Sequence, residues 1–299
     1  MGEKITYQQC PSCGSTTIQF VLKVKDFTVS NNFFEIWHCD NCSLRFTQFI
    51  PTASDIGAYY QSSNYVSHTD TNKGLINRLY HFVRQFTLKS KLKLVQQCTG
   101  VQTGALLDVG AGTGYFSRIM QNAGWQITAL EPDATARKLA FEKDGLQLQD
   151  ANDIYHLQSN QFDAITLWHV LEHVHDLHGY FDKFYDLLKP TGKLIIAVPN
   201  YTSADAAHYI ENWAAYDVPR HLYHFSPQSV DKLAKLKGFT VKAYKPMWFD
   251  SFYVSMLSEQ YKNDKGNIVA AFYNGLISNI KAMENNKKYS SIIYVLAKT

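Results

Sequence analysis

The chain has 299 residues, 45% hydrophobic and 18% charged, which supplies enough apolar material for a substantial core and excludes a globally disordered protein. A net charge of only +3 gives no general drive toward nucleic acid. The opening M-G-E-K-I-T-Y lacks the apolar stretch of a signal peptide, and no window of about 18 residues is apolar enough to span a bilayer, so a cytoplasmic protein is expected.

Four of the five cysteines form two C-x-x-C pairs, Cys10/Cys13 in C-P-S-C-G and Cys39/Cys42 in C-D-N-C-S, with 25 residues between them. Each such turn points two thiolates at one centre, and two turns complete a tetrahedral site at about 2.3 Å per Zn–S bond. The apolar stretches Ile18–Val29 and Phe33–Trp37 lie between the pairs, which predicts a zinc ribbon of knuckle, hairpin and knuckle over residues 1–50. So small a module has little core, and the metal would supply much of its folding energy. A redox C-x-x-C is the alternative, but it leaves the second pair unexplained. With all four positions filled by protein, the zinc would be structural. Cys98 reads as a small packed side chain.

Residues 51–100 read as a connector. Tyr59, Tyr60 and Tyr65 in a polar stretch are consistent with either a loop packing a few aromatics or a flap over a ligand site. The stretch from Leu75 to Cys98 has helical apolar spacing and carries Arg78, Arg84, Lys89, Lys91 and Lys93, preceded by Lys73, with no acid between Asp70 and Asp108. Such a helix can touch nucleic acid, anionic lipid or an acidic substrate, or can simply present a solvated basic face.

A larger α/β unit is expected over residues 101–299, with its most informative stretch, A-L-L-D-V-G-A-G-T-G-Y-F, beginning at Ala105. Leu106, Leu107 and Val109 read as a short buried strand and Thr113–Ala123 as the helix after it. Gly110, Gly112 and Gly114 form the tight turn between them. The dinucleotide fingerprint G-x-G-x-x-G fails here because its last position is Tyr115. Asp108 at the strand end suits an ammonium group better than a diphosphate. A second strand, Gln126–Leu130, ends in Glu131–Pro132, where an acid can accept the hydroxyls of a ribose. Gly145–Gln149 reads as strand three, ending in Asp150–Ala151, where an acid can accept from an adenine amino group. Phe162–Trp168 and Lys193–Val198 read as strands four and five. Three strand-end acids beside a glycine turn make a poor phosphate cradle and suit a cationic, phosphate-free nucleoside.

Residues 105–200 resemble the core of class I S-adenosylmethionine-dependent methyltransferases, in the branch containing quinone-biosynthesis and other small-molecule enzymes. The motifs that carry the resemblance are D-V-G-A-G-T-G, A-L-E-P-D, F-D-A-I-T-L-W-H-V-L-E-H-V and L-L-K-P-T-G-K-L-I-I-A-V-P-N. It implies an α/β, doubly wound, Rossmann-like sheet of seven strands with the last antiparallel. Phe239–Tyr244 and Ser291–Leu296 fit strands six and seven. It also implies that Asp108 and the glycine turn hold the amino-acid end of the cofactor, Glu131 the ribose, and Asp150 and Ala151 the adenine. Tyr115, Pro132, Trp168 and His169 would line the same pocket, and S-adenosylhomocysteine would be the product.

Between strands six and seven, residues 247–288 read as helical and aromatic-rich, either as a cap over an acceptor pocket or as helical core or a dimer face. Transfer from a sulfonium needs mainly alignment, plus a base when the acceptor is a hydroxyl or an acidic carbon. His221, in the loop after strand five, is the expected base, and His169, at the carboxyl end of strand four, is the second candidate. His173 reads as structural and His224 as packing beside Phe225. Glu172, His173, His175 and Asp176 form a dense charged run that reads as a helix entry rather than a second metal site. The favoured function is methylation of a small molecule. RNA methylation gripped by the ribbon and the basic helix is the alternative, and a non-catalytic cofactor-binding scaffold is a third reading.

Overall fold

A computed structural model of the protein describes residues 4–60, 75–263 and 266–299, with side chains in the first helix described from residue 83 onward. Tyr65, Lys73 and the side chains of Leu75, Ile76, Arg78, Leu79 and Phe82 lie outside the described residues.

The N-terminal strands are β1 (Lys4–Ile5), β2 (Ile18–Lys25), β3 (Phe33–Cys39), β4 (Arg45–Gln48) and β5 (Ile50–Pro51). β2 and β3 form the expected antiparallel hairpin, β4 continues the sheet, and β1 pairs with β5. A further strand from far along the chain, β10 (Tyr223–His224), joins β4, giving the order β10-β4-β3-β2. Helix α1 (Leu75–Thr99) then leads into the large sheet.

That sheet is built from β6 (Ala105–Val109), β7 (Gln126–Leu130), β8 (Phe162–Trp168), β9 (Leu188–Pro199), β11 (Phe239–Pro246) and β12 (Ser291–Lys298). Its order is β11-β12-β9-β8-β6-β7, and β12 runs antiparallel to both neighbours while β6, β7, β8 and β9 are parallel. Leu194 to Val198 of β9 are all buried, as expected of a central strand covered on both faces. The intervening helices are α2 (Tyr115–Asn122), α3 (Ala134–Asp144), α4 (Leu177–Leu187), α5 (Ala204–Tyr209) and α6 (Pro227–Leu236).

The sheet has six strands rather than the seven expected. Residues 145–149 contribute a single parallel bridge, Gln149 to Leu130, with Gln149 N–H donating to Ala129 O and Glu131 N–H to Gln149 O. Leu146 and Leu148 are buried against Ala140 and Ala129, so the apolar alternation is real packing. The ladder stops because Asp150 at once caps a short helical turn, Ala151–His156, and turns the chain off the sheet edge.

Residues 247–288 form an α-helical hairpin, α7 (Asp250–Asn263) and α8 (Ile268–Met283). The helices approach closely at Gly275, where a Cβ would stand 2.9 Å from the Phe252 ring. Buried Asp205 on α5 fastens the hairpin down, accepting from Ser278 Oγ at 2.6 Å, Trp213 Nε1 at 2.8 Å and Ser290 Oγ at 2.7 Å. Ile268, Val269, Phe272 and Tyr273 face outward. Among the described residues, no helix is long and apolar enough to cross a membrane.

The N-terminal strands share two cores with the rest of the chain. Cys39, Cys42, Leu44 and Phe46 pack with Leu222, Tyr223 and Phe225. Val24, Phe34 and Ile36 pack with Trp213, Tyr216, Val218 and Val254 of α7.

Candidate functional site

The four paired cysteines converge. Sγ of Cys10 lies 3.5 Å from that of Cys42, Sγ of Cys13 lies 3.6 Å from that of Cys39, and all four fall within 4.8 Å of one another. Tetrahedral Zn–S bonds of about 2.3 Å require sulfurs roughly 3.8 Å apart, so the donor set fits zinc in both chemistry and spacing. Three of the four are buried, and Asn41 Nδ2 donates toward Cys13 Sγ at 3.5 Å.

The second centre is the cleft at the carboxyl ends of β6 and β7. Asp108 is buried, with Oδ2 accepting from Ser117 Oγ at 2.6 Å and Oδ1 from Thr166 Oγ1 at 2.9 Å. Burial pushes its carboxyl up to about 6, against the hydroxyls and the nearby Lys91, which act to lower it. Glu131 takes the Gly112 N–H at 2.7 Å on one oxygen and the Asp133 N–H at 3.0 Å on the other. Each oxygen keeps a further lone pair for a ligand hydroxyl. Burial raises this carboxyl too.

The three glycines of the turn do different things. A Cβ on Gly110 would strike Val170 at 2.3 Å and one on Gly114 would strike Leu146 at 2.6 Å, whereas one on Gly112 would meet nothing within 4 Å. Two glycines therefore permit packing, and the third borders open space where a ligand would lie. Asp150, at the rim, pairs with Arg137 at 3.0 Å, and Arg137 also donates to the Glu131 and Pro132 carbonyls. Ala151 opens the short turn beside it. Tyr115, at the start of α2, carries Arg84 over its ring and accepts from Lys143.

Trp168 ends β8 with its Nε1 buried and without a hydrogen-bond partner among the described residues, packed edge-on against Phe116. Lys91 of α1 sits 4.2 Å over the Trp168 ring. Burial pulls this lysine down to about 8, while Asp250 and Asp108 act to raise it. The basic helix thus turns one lysine into the cleft, while Lys89 and Lys93 stay exposed.

A third group of side chains lies at the carboxyl ends of β8 and β9. His169, with φ 59°, places Nε2 at 2.8 Å from Asp250 Oδ2 and Nδ1 at 3.3 Å from Glu172 Oε1. Burial opposes its protonation, but the two carboxylates prevail and hold it at about 10. His169 is therefore a cation at neutral pH and has no free lone pair for base chemistry. His221 directs Nδ1 to Ala215 O at 2.8 Å, and its Nε2 lies 3.9 Å from the Asp217 carboxylate. The His173 ring stands 4.6 Å from the His221 ring and is pushed down to about 4 by burial and by His221. Buried Arg220 is held by Asp217, by Asp26 at 3.4 Å and by the Tyr59 carbonyl at 2.8 Å. Tyr60 OH lies 3.0 Å from His173 Nδ1, so the described part of the connector reaches this group. His224 lies apart, with Nε2 at 3.1 Å from Thr47 Oγ1.

Of the charged run after β8, only Glu172 and His173 face this group. His175 Nε2 lies 3.2 Å from Pro51 O, and Asp176 caps α4. Asp26, Asp217, Arg220 and Asp250 had no local signal as site residues, and Lys91 was marked only as one of several basic positions on its helix. Asp250 meets His169 across 81 positions of sequence, and Asp26 meets Arg220 across 194.

Comparison with known proteins agrees with the fold. A family described as a methyltransferase domain matches residues 79–244, more than half of the chain. The chain belongs to this methyltransferase family. It is 33% identical over 129 residues to the ubiquinone biosynthesis O-methyltransferase of Xanthomonas axonopodis pv. citri, covering 40% of this chain and 54% of that protein. The Xanthomonas oryzae pv. oryzae enzyme of the same name aligns at 33% over 130 residues, with the same coverage. The chain thus spans about half the length of the curated relatives it matches. In fold it is similar to the "putative sarcosine dimethylglycine methyltransferase" of Galdieria sulphuraria, with a TM-score of 0.51 at 18% identity, covering 75% of this chain and 88% of that one.

Proposed function

We propose that this family member transfers a methyl group from S-adenosylmethionine to a small-molecule acceptor and releases S-adenosylhomocysteine. The observation that carries the reading is the pair of buried carboxylates, Asp108 and Glu131, at the ends of adjacent parallel strands around a turn open only at Gly112. Such a cleft repels a diphosphate and favours a cation bearing hydroxyl groups.

Asp108 with Gly110, Gly112 and Gly114 would hold the amino-acid end of the donor, with Lys91 balancing its carboxylate. Glu131 and Pro132 would hold the ribose, Asp150 and Ala151 the adenine, and Tyr115, Trp168 and His169 would line the pocket. The donor supplies an activated methyl on a sulfonium, and the chain's own contribution is alignment and exclusion of water. The names of the curated relatives favour a hydroxyl acceptor. His221 is then the candidate base, because its Nε2 makes no hydrogen bond among the described residues while His169 is tied up as a cation. A structural zinc on Cys10, Cys13, Cys39 and Cys42 belongs to the same reading, as does an acceptor pocket shaped by the N-terminal sheet and α7–α8. Their shared core with residues 213–218 supports that placement.

Calorimetric titration with S-adenosylhomocysteine tests the cofactor site. The wild-type chain should bind, and Glu131→Ala should weaken binding by at least about 100-fold, since two charge-assisted hydrogen bonds are lost. A wild-type chain that does not bind sinks the proposal. Transfer of labelled methyl into cell extract tests the acceptor. Label in small extractable material supports the reading, whereas label in large RNase-sensitive material replaces it with RNA methylation.

A further inference from the structure

We propose that Glu172, His173 and His221 form a second metal site, holding one divalent cation beside the methyl-transfer cleft. One ligand atom from each residue lies within 4.8 Å of the other two, and Glu172 and His221 are buried. Glu172 has its Oε1 beside His169, but its Oε2 is buried with no hydrogen-bond partner among the described residues. An uncompensated carboxylate oxygen out of water is costly, and its presence calls for a missing partner.

The two histidines are prepared as ligands by what their other nitrogens do. Nδ1 of His221 lies 2.8 Å from Ala215 O, and Nδ1 of His173 lies 3.0 Å from Arg220 O. A carbonyl can only accept, so in the neutral rings each Nδ1 carries the proton, which for His173 the Tyr60 hydroxyl oxygen shares as acceptor, and each Nε2 keeps a lone pair. Metal-binding histidines are oriented in this way, with the distal N–H given to a backbone carbonyl. The three residues bring one ligand atom each into one small space, and a cation there would answer the unpartnered Glu172 oxygen.

Two nitrogens and one carboxylate suit zinc, cobalt, manganese or iron(II) better than magnesium or calcium, and three protein ligands leave positions open. Those open positions fit an acceptor that presents oxygen donors; this last part rests on the methyl-transfer reading. In this arrangement His221 Nε2 is a ligand rather than the base.

The test is cobalt(II) equilibration of the zinc-loaded full-length protein, followed by elemental analysis of total metal, visible absorption and S-adenosylhomocysteine titration on the same samples. Wild type should hold one metal equivalent more than Glu172→Gln or His221→Ala. Cobalt in that equivalent should show weak visible bands without the near-ultraviolet charge transfer of thiolate ligands. Each variant should lose cobalt affinity by about 100-fold or more while still binding S-adenosylhomocysteine, which certifies its fold; His221→Gln replaces a variant that fails this check. Equal metal in wild type and folded variants, or cobalt only in the thiolate-type spectrum, overturns the site. Cofactor binding without the extra metal leaves the methyl-transfer reading standing, and metal without cofactor binding does the reverse.

Discussion

At the scale of single residues, Asp108, the carboxylate proposed to hold the cofactor, works against the stability of its own fold. Burial moves its carboxyl from 3.8 to about 6. A carboxyl raised in the folded state favours folding while both states are protonated, and that contribution is lost as pH climbs from about 4 through about 6. Above pH 7 the ligand-free protein carries roughly 3 kcal/mol against folding at this one group. Asp108→Asn is therefore expected to raise the Tm of the ligand-free protein at neutral pH, with the gain over wild type shrinking toward pH 4. The same variant should lose S-adenosylmethionine binding. Thermal melts across that pH range check the first point, and a gain independent of pH would contradict it.

Among the elements, the seam between β4 and β10 ties the N-terminal sheet to the loop that carries His221. Thr47 is fully buried there, with its hydroxyl donating to His221 O at 2.7 Å and lying 3.1 Å from His224 Nε2. Thr47→Val preserves shape and leaves the His221 carbonyl and the His224 ring nitrogen without that hydroxyl. The expected cost is about 1–3 kcal/mol. At this chain length that amounts to a fall in Tm of several degrees. Affinity for S-adenosylhomocysteine should barely change, because the seam does not touch the cleft of β6 and β7. An equal loss of cofactor affinity would show that the seam and the cleft are coupled.

For the whole molecule, the cysteine cluster is a foundation for the site rather than a separate attachment. Cys39 and Cys42 share a core with Leu222, Tyr223 and Phe225, and Asp26 of the same sheet reaches Arg220. Removing the proposed zinc should therefore loosen residues 217–224 as well as the N-terminal strands. Cys39→Ser is expected to lower Tm and abolish methyl transfer while leaving S-adenosylhomocysteine affinity within a few-fold of wild type. Zinc content, calorimetry and an activity assay on one preparation check this. Undiminished transfer in a zinc-free variant would overturn it.

Some of this was legible in the sequence because it is local. D-V-G-A-G-T-G, the strand-end acids and the two C-x-x-C turns each lie within a few residues, and the apolar runs marked β7 and β8 at their observed bounds. Strand three was overread because apolar alternation reports packing, and Leu146 and Leu148 pack without entering a ladder. The histidines were visible as residues, but their chemistry was not. His169 is held as a cation by Asp250, far along the chain, together with Glu172, and the basic helix entered the cleft only by the way α1 packs against β8 and β9. The sequence by itself determined the methyltransferase sheet, the acids around its glycine turn and the thiol set, since short-range pattern dictates these. Only the tertiary structure decided which histidine is charged, which keeps a lone pair, and that Glu172, His173 and His221 meet. Protonation and ligation depend on partners brought within a few ångströms, and chain spacing does not encode that distance.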